Sequence, residues 1–242
     1  MKFELTDNSI LKNCFEAIGT IIDEVQIQAD SEGLRLRAID RGHIAFVELE
    51  LNAILFDEYD CDTPEHLNVD VDELVKILKR CKNDDILKCE TSTGKLSFIF
   101  EGDSTRRFSV NLIDIEYESP APPTIELPVS LNLPTTLLVD ALDDISIYTE
   151  NITFSVDEDY FKCNGAGEFG DMESKYIHGV SINEVVASSF TIPKIKDMMK
   201  ARKLDDTVTL GLGDEMPLTL KFDINGEGEL SFLLAPRVDE TE

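Results

Sequence analysis

Residues 165–170 spell Gly-Ala-Gly-Glu-Phe-Gly, a GxGxxG spacing with which a backbone can cradle a dinucleotide pyrophosphate. That chemistry needs a helix directly after the glycines, so that its first N–H groups face the phosphates. Here Asp171-Met172-Glu173-Ser174 follows, and then the strand-like run KYIHGV. Glu168, Asp171 and Glu173 would also repel phosphate. The segment reads better as a glycine-rich turn between strands, and no cofactor is expected. His43, His66 and His178 lie in three separate segments without HxxxH or HExxH spacing, so no zinc or other metal site is expected. Acids cluster at Asp57, Glu58, Asp60 and Asp62, as chance allows among 49 of them. No GxSxG occurs, and no cysteine has an evident histidine partner. Nothing argues for an enzyme.

The remaining chemistry is cationic. VDVDELVKILKRCKNDDILK (69–88) and FTIPKIKDMMKARKLDDTVT (190–209) look like copies of one another. Setting Asp84-Asp85 on Asp205-Asp206 places Val71, Leu74, Ile77 and Leu78 on Ile192, Ile195, Met198 and Met199. It also places Lys79 and Lys82 on Lys200 and Lys203. Residues 76–82 hold four basic residues and no acid; residues 190–203 hold five and one acid. These windows carry +8, so a net charge of −27 leaves −35 for the rest. Such a surface keeps a protein soluble and repels nucleic acid almost everywhere. Two matched basic helices on that background point to a polyanion admitted at one place. A plain solvated helix face is the competing reading.

The elements that position these helices repeat as well. Ser9 to Ile22 and Thr136 to Ile147 both show helical apolar periodicity. Each is followed by a strand, an acidic turn and a strand: VQIQA, DSEG, LRLRAI in the first copy and NITFSV, DED, YFKCN in the second. A shift of 127 superposes them. Alternating runs such as KLSFIFE (95–101), RRFSVNLI (106–113), TVTLGL (207–212), PLTLKFDI (217–224) and ELSFLL (229–234) predict antiparallel sheet with one buried face. Residues 114–128, DIEYESPAPPTIELP, hold four prolines and four acids and predict an extended connector. The expected class is α+β: two similar domains, 1–113 and 129–242, joined by a linker, 114–128. Each has two helices on one face of an antiparallel sheet.

Five cysteines without CxxC spacing predict reduced, packed thiols inside a cell. The absence of a long apolar run, or of a secretory or transit pattern, predicts a cytoplasmic protein without a membrane partner. Two segments predict apolar docking surface or the finish of the core: Ile39 to Phe46, and Leu233-Leu234-Ala235-Pro236-Arg237-Val238.

GLRLRAIDRGHIAFVELEL (33–51), FDEYDCD (56–62), LVKILKRCKNDDIL (74–87), GDEMPLTLKF (213–222) and GELSFLLAPRVDE (228–240) carry a family resemblance over essentially the whole chain. It resembles the sliding clamps of the proliferating-cell-nuclear-antigen (PCNA) family, and the archaeal members most. FLLAPRV and the Ile-Asp-x-x-His pattern are the most specific parts. The resemblance implies a DNA clamp fold that assembles as a homotrimeric ring around double-stranded DNA. It implies a processivity factor for replication and repair, loaded by a clamp loader. Polymerase, ligase and nucleases would dock through short peptides.

Carried onto this sequence, the DNA-facing candidates are Lys12, Lys76, Lys79, Arg80, Lys196, Lys200 and Lys203, with the last three on one α-helical face. The peptide pocket would be Ile39, His43, Phe46, Ile125, Leu127, Pro217, Leu233, Ala235, Pro236 and Val238. Subunits would pair by edge strands, Arg107–Ile113 on Ser174–Val180, including Ser109, Asn111, Lys175 and Ile177. One departure stands out: Thr136–Ile147 has no basic residue and carries Asp140, Asp143 and Asp144. These would pair across the subunit boundary with Lys82, Arg106 or Arg107. A heterotrimeric or checkpoint-type clamp is the alternative, and a dinucleotide-binding enzyme a remote third.

Overall fold

The structure is a computed structural model that describes residues 1–114, 118–182 and 184–237. Backbone contacts divide the chain into two units. The first is Met1–Pro122 with Asp223–Leu230; the second is Pro123–Phe222 with the chain from Ser231 onward. The short stretch Asp223–Leu230 thus falls with the first unit, which the sequence does not announce.

In the first unit the order is β1 (Lys2–Leu5), α1 (Ser9–Ile18), β2 (Glu24–Asp30), β3 (Gly33–Ile39), β4 (Ala45–Asn52), a 3-10 turn (Ala53–Leu55), β5 (Glu58–Asp60), β6 (Glu65–Asp70), α2 (Val71–Leu78), β7 (Ile86–Ser92), β8 (Lys95–Glu101) and β9 (Thr105–Asn111). The strands do not form one sheet. They divide between an antiparallel sheet ordered β5–β1–β7–β8–β9 and an antiparallel run ordered β4–β3–β2–β6. Alternate residues of each strand turn inward. Leu74 and Leu78 of α2 meet Phe98 of β8, Leu36 of β3 and Phe15 of α1 around a void of about 30 Å³. The core therefore lies where both sheets and both helices converge.

The second unit repeats the plan with β10 (Val129–Pro134), α3 (Thr135–Ile145), β11 (Asn151–Val156), β12 (Tyr160–Gly167), β13 (Gly170–Ile177), β14 (Val186–Thr191), α4 (Ile192–Met198), β15 (Thr207–Leu212), β16 (Leu218–Asp223) and β17 (Gly228–Leu234), of which Asp223 and Gly228–Leu230 fall with the first unit. Here the sheets run β13–β12–β11–β14 and β10–β15–β16–β17. The internal repeat is visible in strand register. Ile27 pairs with Leu36, and 127 residues on Phe154 pairs with Cys163. Val25 pairs with Val69, and Ile152 pairs with Phe190. Because a one-residue slip would turn each apolar face outward, matching register means matching cores.

The apolar residues used to align the copies behave as that alignment expects, with one difference. Val71, Leu74 and Leu78 are buried on α2, as are Ile192, Ile195, Met198 and Met199 in the second unit, while Ile77 is half-exposed. All five cysteines are buried. Burial pushes the Cys163 thiol up to about 12, and Cys14 and Cys89 higher still. No helix among the described residues is long and apolar enough to cross a membrane.

Candidate nucleic-acid interface and docking surfaces

The first basic segment starts at Asp70, whose carboxylate accepts the Glu73 N–H at 2.8 Å and caps α2. Asp72 and Glu73 in the first turn and Lys76 in the last complement the helix dipole. The α-helix stops at Leu78. Arg80 N–H then bonds the Ile77 carbonyl (2.8 Å) and Cys81 N–H the Leu78 carbonyl (3.0 Å). This tighter turn carries Lys79, Arg80 and Lys82 beyond the helix, all exposed like Lys76. Buried Cys81 closes the turn. Burial and Asp85 push its thiol up to about 11, while Arg106 and half-buried Lys12 pull it down.

The second basic segment opens differently: Thr191 at the N-cap makes no side-chain capping bond, and the first turn of α4 holds Pro193 and no acid. It does not continue as the α-helix that its i, i+4, i+7 lysines predict. After Met198 the chain tightens into a 3-10 helix, Met199–Lys203. Three residues per turn stack Lys203 on Lys200 and rotate both from where a continued α-helix would set them relative to Lys196. All three still rim one groove of about 260 Å³ between α3 and the basic segment, together with Arg202, and with Leu142 and Asp143 on the other side.

Asp143 changes the reading of the acidic helix. Lys196 Nζ donates to its carboxylate at 2.7 Å and to Ser146 Oγ at 3.1 Å. Lys200 Nζ lies 2.9 Å from Asp197. In the first unit Lys79 Nζ is 3.9 Å from Glu16 on α1. Under the 127-residue shift Glu16 corresponds to Asp143. Each unit therefore presents an acid from its first helix to a lysine of its basic segment.

The cations expected to meet the acids of α3 have partners closer to home. Lys82 pairs with Asp103 at 3.6 Å, Arg107 with Glu90 at 2.6 Å, and Arg106 with buried Asp85. Asp143 pairs with Lys196 within its own unit. Asp140 and Asp144 stay exposed, and with Lys175 and Tyr176 of β13 they line a groove of about 330 Å³. Lys175 is also paired with Glu173 at 2.7 Å.

β9 and β13 each end a sheet, so their outer backbone groups have no neighbour within their own sheet. Their limits differ from those read in the sequence. β9 ends at Asn111, because Leu112 N–H turns to the Gly94 carbonyl and Ile113 N–H to the Asn68 carbonyl, both at 2.9 Å. β13 already starts at Gly170 and stops at Ile177. On β9, Ser109 Oγ is 3.0 Å from Ser97 Oγ, and Asn111 stands opposite Lys95. On β13, Ile177 is strongly exposed.

The GxGxxG run lies in the β12–β13 hairpin, where Gly167 pairs with Gly170 across a two-residue turn. Its glycines make room for the end of α3. A Cβ on Gly165 would come within 2.1 Å of Ile145 Cγ2, one on Gly167 within 1.9 Å of the Tyr148 carbonyl oxygen, and one on Gly170 within 2.8 Å of the Tyr148 ring. A strand follows the run rather than a helix. Phe169 at the turn is 74% exposed and rests on Tyr148, with ring centroids 5.4 Å apart. This aromatic pair was missed; an aromatic residue inside a glycine turn was its only signal.

The docking residues divide between the units. In the first, Ile39 is exposed and Phe46 buried, on either side of a loop at whose crest His43 has φ 54°. The loop is held by Asp40, which sequence reasoning passed over. Its buried carboxylate accepts the Ile44 and Ala45 N–H groups, each at 2.9 Å. In the second unit Ile125, Leu127, Pro217, Leu233, Ala235 and Pro236 are all half-buried. Leu127 lies against Gly211, where a Cβ would meet its Cδ1 at 2.7 Å. Arg237 pins the tail, its N–H to the Ser189 carbonyl (2.8 Å) and Nη1 to Asn151 (2.5 Å). Val238 lies outside the described residues. His66 bonds Gln26 and His178 bonds the Asp157 carbonyl. Among the described residues no group of three His, Cys, Asp or Glu side chains is placed to hold a metal.

Residues 1–120 match the family described as "Proliferating cell nuclear antigen, N-terminal domain", and residues 123–237 match its C-terminal domain. The chain belongs to the proliferating cell nuclear antigen family. The chain is similar to the "DNA polymerase sliding clamp" of Methanobrevibacter smithii, with 50% identity over 242 residues, covering 100% of this chain and 99% of that protein. A protein of the same name from Methanothermobacter thermautotrophicus is 51% identical with the same coverage. One from Thermofilum pendens is 32% identical over 246 residues, covering 99% of this chain and all of that protein. Within the PCNA family the two-domain α+β fold accounts for the repeat seen here. The family's two halves also match the two copies of the basic segment.

Proposed function

We propose that this chain is a DNA sliding clamp: a processivity factor that assembles as a homotrimeric ring, encircles duplex DNA and tethers replication and repair enzymes. The observation that carries the reading is the duplicated basic segment, one per unit, on a chain otherwise strongly acidic. In a ring of three, six such segments line one channel. Contacts from Lys12, Lys76, Lys79, Arg80, Lys196, Lys200 and Lys203 go to phosphate, carry no sequence information and weaken with salt. The acidic remainder faces away from DNA, and topology rather than tight binding keeps the ring in place. The protein acts without catalysing a reaction.

Open edges on β9 and β13 support closure of the ring, since pairing them satisfies both. Asp140, Asp144 and Lys175 border that junction, with Phe169, Tyr148 and Ile177 as its apolar part. The loop at Ile39–Phe46 and the half-buried side chains of the linker and tail support docking of short peptides from polymerase, ligase, nucleases and clamp loader. An aliphatic and aromatic plug is the expected anchor.

The test is retention on circular against linearised DNA in the presence of a loader and ATP. The ring is expected to stay on the circle and run off the linear ends; equal loss from both would refute encirclement. Light scattering on the purified chain separately reads the homotrimer, and a lone monomer at micromolar concentration would exclude it.

A further inference from the structure

We infer that Asp143 and Asp197, with Glu16 as the first-unit equivalent of Asp143, are internal counter-ligands that compete with DNA phosphate for the lysines of the basic segments. The inference rests on the proposed clamp function and concerns how weakly the channel holds DNA. Lys196 is held by Asp143 at 2.7 Å and by Ser146 at 3.1 Å, Lys200 by Asp197 at 2.9 Å, and Lys79 by Glu16 at 3.9 Å. Asp143 and Lys196 face each other across the groove between α3 and the basic segment, and Lys200 sits on the same rim. A phosphate arriving there does not meet unengaged ammonium groups. It exchanges for a carboxylate that is already bonded.

Exchange has two physical consequences. Each lysine gives up an exposed ion pair to reach phosphate, which lowers duplex affinity by about 1.5- to 5-fold per pair. A carboxylate set loose also recruits counterions, which offsets part of the release from DNA and flattens the salt dependence. Both effects suit a ring that must move along DNA without settling. The repeat strengthens the case: the acid recurs at one position of the first helix in both units, although the two helices otherwise differ in charge.

The test compares isosteric neutralisations that change net charge equally. Asp143→Asn and Asp197→Asn remove a lysine partner. Asp72→Asn and Asp84→Asn remove an exposed acid of the first basic segment that, among the described residues, pairs with no lysine. Full-length protein is titrated onto a short linear duplex with free ends, across a salt series. We expect D143N and D197N to bind more tightly than D72N and D84N, by about 1.5- to 5-fold each, with a steeper fall of affinity with salt. If the four variants gain equally, the effect is net charge alone and the inference fails while the clamp reading stands. If the wild-type chain shows no salt-dependent duplex binding, there is no lysine–phosphate contact to compete with and the inference fails, while retention on circular DNA still decides the clamp reading. Retained thermal unfolding transitions confirm that these surface variants fold.

Discussion

Arg106 on β9 closes on the carboxylate of Asp85, a residue only 3% exposed at the end of the first basic segment. Its Nη1 also donates to the Arg80 carbonyl at 2.9 Å, and its guanidinium sits 5.6 Å from the centre of the Phe100 ring. The same Asp85 carboxylate accepts the Lys82 N–H at 2.8 Å. One ion pair thus fixes the turn carrying Lys79, Arg80 and Lys82 to the neighbouring sheet.

Removing Arg106 leaves Asp85 buried without its cation. Breaking a fully buried pair costs several kcal/mol; with Arg106 partly exposed, Arg106→Ala is expected to cost about 2 kcal/mol. For a chain of this size that lowers Tm by about 4–8 °C. Thermal unfolding at fixed protein concentration reads it, since assembly also shifts Tm. A Tm unchanged from wild type would show that the pair is surface decoration.

Asp40 gives a second prediction. Asp40→Ala removes the acceptor of two N–H groups in the loop that carries His43, and is expected to cost about 1–3 kcal/mol. It should weaken binding of a docking peptide more than Asp40→Asn, whose amide oxygen still accepts. Peptide titration by calorimetry checks this. Equal affinity for both variants would mean that the loop does not need the carboxylate scaffold.

The contrast between Asp40 and Asp85 shows what was legible in the sequence. Apolar periodicity revealed α1 to α4 to within a few residues, and the Asp84-Asp85 and Asp205-Asp206 pairs revealed the duplication. Those signals are local, so they survive in one dimension. Which of 49 acids is buried is not local. Asp84 is exposed and Asp85 buried, and only Gly102, Arg106 and Asn8, all distant in sequence, decide that. The lysine partners were missed for the same reason. Lys196 reads as a solvated helix residue until α3 brings Asp143 beside it. The 3-10 turn after Met198 was also hidden, since Met-Lys-Ala-Arg-Lys has good α-helical propensity and tertiary packing overrides it.

The glycine run separates two kinds of crowding. Gly170→Ala would press a methyl against the Tyr148 side chain, whereas Gly167→Ala would press it against the Tyr148 backbone oxygen. Each is expected to cost about 1–3 kcal/mol. In a Tyr148→Ala background the Gly170 cost should shrink and the Gly167 cost persist. A double-mutant cycle by urea unfolding measures both. If the two glycines respond alike, packing against α3 does not explain the run.

Asp157 sets the pH prediction. Its carboxylate pairs with Lys162 and accepts the Tyr160 and Asp159 N–H groups at 2.8 and 3.0 Å. The Lys162 bond first, and the two backbone N–H bonds after it, hold its pKa down at about 2. In the unfolded chain an aspartate titrates near 4. The folded state therefore favours the ionised form, and the stabilisation is complete above about pH 4 and lost as pH falls toward about 2. Asp157→Asn cannot titrate. The difference in urea midpoint between wild type and Asp157→Asn should hold steady from pH 7 to about pH 5, then close between about pH 4 and pH 2. A difference that stays constant through that window would assign the acid sensitivity to other carboxylates.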